Sequence, residues 1–492
     1  MRLIHTKTLQ CKEFFGEYTN PYLNVPDLEG LGQDIPTYAI LSHTWGEEEV
    51  SLSEWNLLLE NPEADKSRQI RNKTGYSKIK KFCELCQQGC AICLHFDCSA
   101  KKNSWCRKGL EKAECMLNLA GHCTCKPTPI EWTWVDTCCI DKTSSSELSE
   151  SINSMYEWYR KSAICYAYLS DVPEGDDIAA NGSAFRKSIW FTRGWTLQEL
   201  IAPRTVQFFN KQWNHVGSKL RQYSIVAQIT SIPEQILSTK GDPHYELGKF
   251  SVAQKMSWAS TRQTTRKEDI AYCVLGLFDI NMPLLYGEGN KAFFRLQQEI
   301  MKHSTDQTLL GWCAGDTMPD CYYPGILATH PSCFRNAKCL REAAYSVGSQ
   351  RGQLELFGLT YTNPQELASL IKKMASKPFQ LTNQGLEIFL QFIPNAQMKS
   401  RHDDCDALIC EYAILNCWNT KYPNKIAAIQ IQRGVQGYPQ DDPGVSVHRI
   451  NGYKLDFLDC KEVYEALIAL HTELASGQSL QHIYMHPVYN SL

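Results

Sequence analysis

Apolar runs that end in small or polar residues recur along the first half of the chain. They occupy residues 38–46, 134–142 and 164–172, and each is typical of a buried strand that delivers its carboxyl end to a site. Between the last two, residues 147–162 place four apolar side chains at helical spacing, namely Ile152, Met155, Tyr156 and Tyr159. With a second helical segment at Thr196–Ile201, this order predicts an α/β fold with a parallel sheet and flanking helices.

The remaining chain changes character twice. Residues 213–312 have the spacing of packed helices, with prolines as breaks. Beyond residue 312, short apolar runs such as 385–393 and 425–431 alternate with Pro, Asn, Asp and Gly, which favours antiparallel strands, and residues 463–474 favour one late helix. We therefore predict an α/β domain over residues 1–212, a helical region over 213–312 and a β-rich domain of unknown role over 313–492.

Composition excludes several classes of protein. The 492 residues are 43% hydrophobic and 21% charged, with a net charge of −3, so nothing indicates nucleic-acid binding, and the few clustered lysines, Lys78 among them, are interpreted as solvated. Neither a secretory signal nor an apolar window of about 20 residues is found, which predicts a cytoplasmic protein without a membrane span. A phosphate-binding loop of the G-x-x-x-x-G-K-[ST] type is also absent from the sequence.

Cysteine is the one residue type in excess. Nine of the 22 cysteines fall between Cys83 and Cys125. The pairs Cys83/Cys86 and Cys90/Cys93 have the C-x-x-C spacing with which two thiolates grip a structural Zn²⁺. The same four positions also form the apolar stripe of a helix, where reduced cysteine packs as a small hydrophobe. We favour the metal-free interpretation of this Cys-rich insertion, at about residues 83–130, and retain zinc as the alternative.

Four ordered blocks carry a family resemblance. They read YAILSHTWG, WVDTCCIDK, INSMYEWYRKS and RGWTLQEL within residues 36–210, and together they resemble the fungal heterokaryon-incompatibility (HET) domain. Downstream segments at 250–259, 269–278 and 284–289 resemble the region that follows this domain in proteins of the vegetative incompatibility type. The Cys-rich insertion departs from the family pattern.

The resemblance implies an activity. HET domains are distantly similar to TIR domains, flavodoxin-like α/β modules of which several members cleave NAD⁺ between nicotinamide and ribose. The W-x-x-x-E helix of those enzymes matches Trp195 and Glu199 here, so Glu199 would be the catalytic carboxylate and NAD⁺ the substrate. A carboxylate can stabilise the oxocarbenium-like state of N-glycosidic cleavage, and nicotinamide leaves as a neutral molecule without a general acid.

Further residues would then face the ligand at the carboxyl ends of the strands. The predicted ligand-binding set is Ser42, His43, Thr44, Trp45, Gly46, Asp136, Asp141, Arg193 and Trp195. Structural alternatives stay open: Asp141 is interpreted first as a turn or cap residue, Asp136 requires a partner or a cleft, and Glu199 could pair with Arg193 or Arg204.

Two non-enzymatic hypotheses stand beside NAD⁺ cleavage. The family is known for triggering cell death when non-self partners meet, so the α/β domain could act by assembly with protein partners or with itself. An accessory or regulatory role in another fungal pathway is the third hypothesis.

Overall fold

The computed structural model describes residues 1–16, 35–89, 129–238, 242–313 and 326–342, together with C-terminal segments at 355–356, 359–360, 379–382, 385–388, 391–394, 410–419, 421–433, 444–449, 456–459 and 482–485. The chain divides into two compact units, residues 1–247 with 273–284 and residues 248–272 with 285–492. Each is described by itself. The boundaries predicted at residues 212 and 312 stay predictions, since compact units need not coincide with the segments of a family resemblance.

A mixed sheet forms the centre of the first unit. Within the described residues it has seven strands: β1 (Arg2–His5), β2 (Cys11–Glu13), β3 (Tyr38–His43), β4 (Trp132–Trp134), β5 (Ile164–Tyr168), β6 (Val206–Phe209) and β7 (His215–Ser218). Their order is β2-β1-β4-β3-β5-β6-β7. The four central strands, β4, β3, β5 and β6, are parallel, whereas the outer strands pair antiparallel. The prediction of an α/β fold is confirmed, although the sheet is mixed rather than wholly parallel.

Helices cover both faces of this sheet. After β3 come α1 (Leu52–Glu60), α2 (Asp65–Arg71) and α3 (Thr74–Gln88), and after β4 come α4 (Asp136–Cys139) and α5 (Ser145–Lys161). Phe82 of α3 packs edge-on against Tyr166 of β5, while the thiol of the adjacent Cys165 contacts α7 (Thr196–Ile201). Because successive strand residues point to opposite faces, α3 covers one face and α7 the other.

The central blocks confirm the sequence pattern with one correction. Helix α5 buries Ile152, Met155, Tyr156 and Tyr159, as their spacing predicted. The run 134–142, however, is not one strand: β4 ends at Trp134, and Asp136 opens the short helix α4. Asp136 therefore lies just after the strand rather than inside it. In the first turn of α4 its carboxylate meets the positive end of the helix dipole.

Residues 213–312 are mainly helical, but they begin with strand β7. The helices are α6 (Ala184–Lys187) upstream, then α8 (Tyr223–Thr230), α9 (Glu234–Leu237), α10 (Pro243–Leu247), α11 (Val252–Ala259), α12 (Asp269–Tyr272) and α13 (Lys291–His303). Helix α13 buries Phe293, Leu296 and Ile300 on its apolar face. No described helix is long and apolar enough to cross a membrane.

Strands occupy the described C-terminal segments. They are β8 (Leu340–Glu342), β9 (Glu355–Leu356), β10 (Leu359–Thr360), β11 (Gln380–Thr382), β12 (Gly385–Ile388), β13 (Gln391–Pro394), β14 (Cys410–Asn419), β15 (Tyr422–Arg433), β16 (Gly444–Arg449), β17 (Asp456–Asp459) and β18 (His482–Met485). The run 385–393 forms two strands instead of one, since β12 pairs with β11 and β18 while β13 pairs with β14. The helix predicted at 463–474 lies outside the described residues.

Candidate active site

Strand β3 supplies two neighbouring polar residues at its carboxyl end. Ser42 and His43 are both buried, and as consecutive strand residues they point to opposite faces of the sheet. Ser42 faces the side covered by α5 and α7, and His43 faces the loop that leads to α1. The strand end therefore contributes to two separate polar clusters.

The first cluster holds Glu199. This residue lies in α7, every residue of which is buried, and its exposed fraction is only 7%. The Ser42 hydroxyl donates to Glu199 Oε2 over 2.5 Å, and the indole Nε1 of Trp190 donates to Ser42 Oγ over 2.8 Å. A buried carboxylate is costly unless hydrogen bonds compensate for lost water, so this two-step chain of donors fixes and stabilises the carboxylate.

Two further groups surround Glu199 without adding charge. The Tyr159 hydroxyl donates to the Leu41 carbonyl over 3.0 Å, and burial, followed by the charge of Glu199, holds the pKa of Tyr159 well above its usual value. The Cys165 thiol lies 3.9 Å from the Glu199 carbonyl oxygen, and burial likewise raises the pKa of Cys165. Both groups are therefore neutral donors.

The second cluster joins His43 to two carboxylates. His43 Nε2 lies 3.7 Å from Glu49 Oε1 and 3.9 Å from Asp136 Oδ1, and Lys78 Nζ lies 2.5 Å from Glu49 Oε1. Burial opposes ionisation of Glu49, but His43 and Lys78 outweigh it and lower the pKa of Glu49 to about 2. Lys78, interpreted from the sequence as a solvated lysine, is instead half of this ion pair.

Trp45 closes the second cluster at the surface. Its side chain is 55% exposed, yet its Nε1 donates to Asp136 Oδ2 over 2.7 Å and Lys142 Nζ lies 3.6 Å from the centre of its ring. The Gly46 amide donates to Glu49 Oε1 over 2.8 Å. Asp136 is half-buried rather than buried inside a strand, and its carboxylate accepts a hydrogen bond from the indole of Trp45.

One comparison with known proteins identifies the relationship. The vegetative incompatibility protein HET-E-1 of Podospora anserina is 40% identical to this chain over 274 residues. The chain is therefore similar to a fungal vegetative incompatibility protein. The match covers 54% of this chain but only 16% of HET-E-1, so the chain corresponds to a small part of that protein's length. No family model matches the chain, and no solved structure does.

The predicted site residues fall into three groups. Ser42 and Glu199 meet directly. His43 and Gly46 contact Glu49, and Asp136 lies between His43 and Trp45. Asp141 instead accepts bonds from the Thr143 amide and hydroxyl, over 2.9 and 2.6 Å, which is the turn role that the sequence left open. The remaining three lie near these elements: Thr44 follows β3, Arg193 precedes α7, and Trp195 caps the start of α7.

The sequence did not single out several members of the two clusters. Tyr159 was assigned only to the apolar stripe of α5, and Trp190, Glu49 and Lys142 were not proposed as site residues. Trp190 and Ser42 are 148 positions apart, so no local spacing could reveal their bond. A tryptophan just upstream of the RGWTLQEL block was the only signal available.

The zinc prediction stays untested. Cys83 and Cys86 are buried in α3, and burial raises the pKa of Cys83 to about 12. Cys90 and Cys93 lie outside the described residues. Among the described residues no group of three or more His, Cys, Asp or Glu side chains could hold a metal ion. Metal analysis of the purified protein tests this prediction directly.

Proposed function

We propose that this chain acts in fungal vegetative incompatibility and that its first unit cleaves the nicotinamide–ribose bond of NAD⁺, with Glu199 as the catalytic carboxylate. The similarity to the vegetative incompatibility protein HET-E-1 and the four sequence blocks support the first part. The observation that carries the second part is the buried Ser42–Glu199 pair beside the carboxyl end of β3. A preoriented carboxylate at that position suits a reaction that develops positive charge.

Strand order supports the location. Numbered along the chain, the four parallel strands β3, β4, β5 and β6 have the spatial order 2-1-3-4, which is the beginning of the flavodoxin-type order to which TIR domains belong. In such sheets ligands bind beyond the carboxyl ends of the strands, where the chain order reverses. Here that point lies between β3 and β5, and Glu199 lies on α7, between β5 and β6 along the chain.

The proposed chemistry needs one carboxylate. The bond between ribose C1′ and the nicotinamide nitrogen breaks, and its electron pair leaves with nicotinamide, which becomes neutral. Glu199 stabilises the positive charge that develops on the ribose, and water then adds at C1′ and releases one proton to solvent, giving ADP-ribose. Ser42 and Trp190 orient the carboxylate, while Tyr159 stays protonated and cannot compete for the charge.

Residues at the rim have narrower proposed roles. Trp45 exposes an indole surface on which a base can stack, although Lys142 already covers part of that ring. Arg193 is proposed to pair with phosphate, and Thr44, Gly46 and Trp195 to line the ligand.

Glu199→Gln tests the proposal because it keeps size and hydrogen-bonding capacity but removes the charge. Purified protein is incubated with NAD⁺ at several protein concentrations, and nicotinamide and ADP-ribose are quantified by chromatography. We expect a loss of at least roughly 100-fold. The matched control is Glu268→Gln, since Glu268 is an equally buried glutamate, 8% exposed, that accepts bonds from the Gly287 and Gly289 amides. A folded Glu199→Gln protein with wild-type cleavage contradicts the proposal.

The assembly hypothesis predicts a different result. A chain that acts only through protein contacts cleaves no NAD⁺ at any concentration, and its Glu199→Gln variant still triggers cell death when expressed in the fungus. Loss of cell death in Glu199→Gln but not in Glu268→Gln favours the enzyme.

A further inference from the structure

Lys219 is a fully buried lysine that follows strand β7. Its exposed fraction is 1%, and its ammonium donates to the carbonyl oxygens of Leu200 over 3.1 Å and Ile201 over 3.4 Å, and also to that of Pro203. All three acceptors belong to the carboxyl end of α7 and the turn after it. The Lys219 amide also donates to the Val206 carbonyl over 2.9 Å, so its backbone is fixed beside the start of β6.

These bonds complete the hydrogen bonding of α7. The last four carbonyl groups of a helix have no partner within it. Here the Ala202 amide donates to the Gln198 carbonyl, and the Cys165 thiol contacts the Glu199 carbonyl. Pro203 has no N–H to offer. The carbonyls of Leu200 and Ile201 therefore depend on Lys219, whose positive charge also suits the negative end of the helix dipole.

Burying the Lys219 ammonium costs its hydration free energy. An apolar side chain of similar length would pack there without losing hydration. The charge has a specific effect, however, because α7 is only six residues long and carries Glu199 in its middle. A shift of the carboxyl end of so short a helix moves the Glu199 carboxylate relative to Ser42.

We propose that Lys219 is a positioning residue, whose ammonium anchors the carboxyl end of α7 and so holds Glu199 against Ser42. This inference rests on the proposed function for its catalytic consequence, but the anchoring itself is measurable without catalysis. Lys219 makes no contact with substrate in this scheme.

The hydrogen bonds from Lys219 to α7 depend on pH, because they are strongest when Lys219 is protonated. Burial lowers the pKa of Lys219 to about 7, although Cys165 and Asp242 oppose that shift; the Asp242 carboxylate is itself paired with Arg160 at 2.6 Å. A neutral amine has two N–H groups and no net charge, so above pH 7 it holds the three carbonyls less firmly. Placement of Glu199 should therefore loosen as pH rises through 7.

The test compares Lys219→Met with wild type in the full chain. The readout is the indole N–H resonance of Trp190, assigned with Trp190→Phe, because that N–H bonds Ser42, which bonds Glu199. We expect the resonance to titrate near pH 7 in wild type and to be displaced and pH-independent in Lys219→Met. NAD⁺ cleavage should fall roughly 10- to 100-fold, in kcat more than in KM. The control is Lys255→Met, a partly buried lysine of the second unit.

Two outcomes overturn the inference. One is a Trp190 resonance that is the same in Lys219→Met and wild type. The other is a kcat unchanged in a folded Lys219→Met protein that cleaves NAD⁺. If wild type cleaves no NAD⁺, the proposed function fails, yet the resonance still decides whether Lys219 anchors α7.

Discussion

At the scale of single residues, the end of β3 shows how one strand can serve two different electrostatic environments. Ser42 donates a hydrogen bond to the Glu199 carboxylate, whereas His43 lies beside the Glu49 carboxylate, which forms an ion pair with Lys78. The difference has a chemical consequence. The ion pair with Lys78 balances the charge of Glu49, which suits a structural role for that carboxylate.

Replacing Lys78 by Met should destabilise the protein by about 3 kcal/mol at pH 7, because it leaves the Glu49 carboxylate half-buried without its closest cation. The pKa of Glu49 is lowered from 4.5 to about 2, so its charged form stabilises the fold above pH 4.5, and this stabilisation is lost as pH falls towards 2. The difference in unfolding free energy between Lys78→Met and wild type should therefore become smaller as pH falls from 4.5 to about 2. Urea unfolding at pH 7, 4 and 2.5 measures it.

The double variant Lys78→Met/Glu49→Gln is the control. Removal of both charges should recover most of the lost stability, because no unpaired carboxylate remains. Two results would show that Lys78 contributes through packing of its carbon chain instead. One is a difference in unfolding free energy between Lys78→Met and wild type that does not change with pH. The other is a double variant whose loss of stability equals the sum of the losses in the single variants.

At the scale of elements, prediction succeeded where a pattern is local. The spacing of Ile152 and Tyr159 was sufficient to find α5, and the run at residues 38–46 was sufficient to find β3. It failed where partners are distant. Strands β1 and β7 are four residues each and gain stability from pairing with β4 and β6, which no short window of sequence contains.

The candidate site divides in the same way. Family blocks indicated Ser42 and Glu199, and the structure joins them. The neighbours that determine their chemistry, Trp190 and Tyr159, come from segments that meet only in the folded chain. Asp136 was expected to be buried with a partner or beside a cleft, since a buried carboxylate is costly, but it is half-buried and bonds the Trp45 indole.

Helix α3 offers a test of element packing. A methyl group on Gly75 would lie 2.4 Å from the Glu48 carbonyl oxygen and 2.9 Å from the Glu49 Cα, both backbone atoms that cannot swing away. Gly75→Ala should therefore cost about 2 kcal/mol through overpacking and displace the loop that holds Glu49. The matched control is Gly182→Ala, where the nearest atom is the flexible Lys187 Nζ at 3.9 Å. Thermal unfolding of both variants measures the difference, and equal stabilities would contradict the close approach.

At the scale of the whole molecule, the two units are interleaved along the chain. The first unit is completed by residues 273–284, which return after a segment that belongs to the second unit. The returning segment is specifically bound: Met282 exchanges two backbone bonds with the Asn153 side chain, over 3.1 and 3.3 Å, and Gly276 lies against the Tyr156 side chain. Helix α5 is thus covered by residues more than 100 positions downstream.

This arrangement predicts where the first unit can be cut. In a chain that ends at residue 284, with residues 248–272 replaced by a Gly/Ser linker of equal length, α5 keeps its cover, and we expect one cooperative thermal transition. The same protein ended at residue 247 exposes Tyr156 and leaves Asn153 without Met282. Since a unit of this size is only marginally stable, we expect a broad transition and binding of a hydrophobic dye. If both proteins melt alike, residues 273–284 contribute little to the fold, and the first unit is then complete by residue 247.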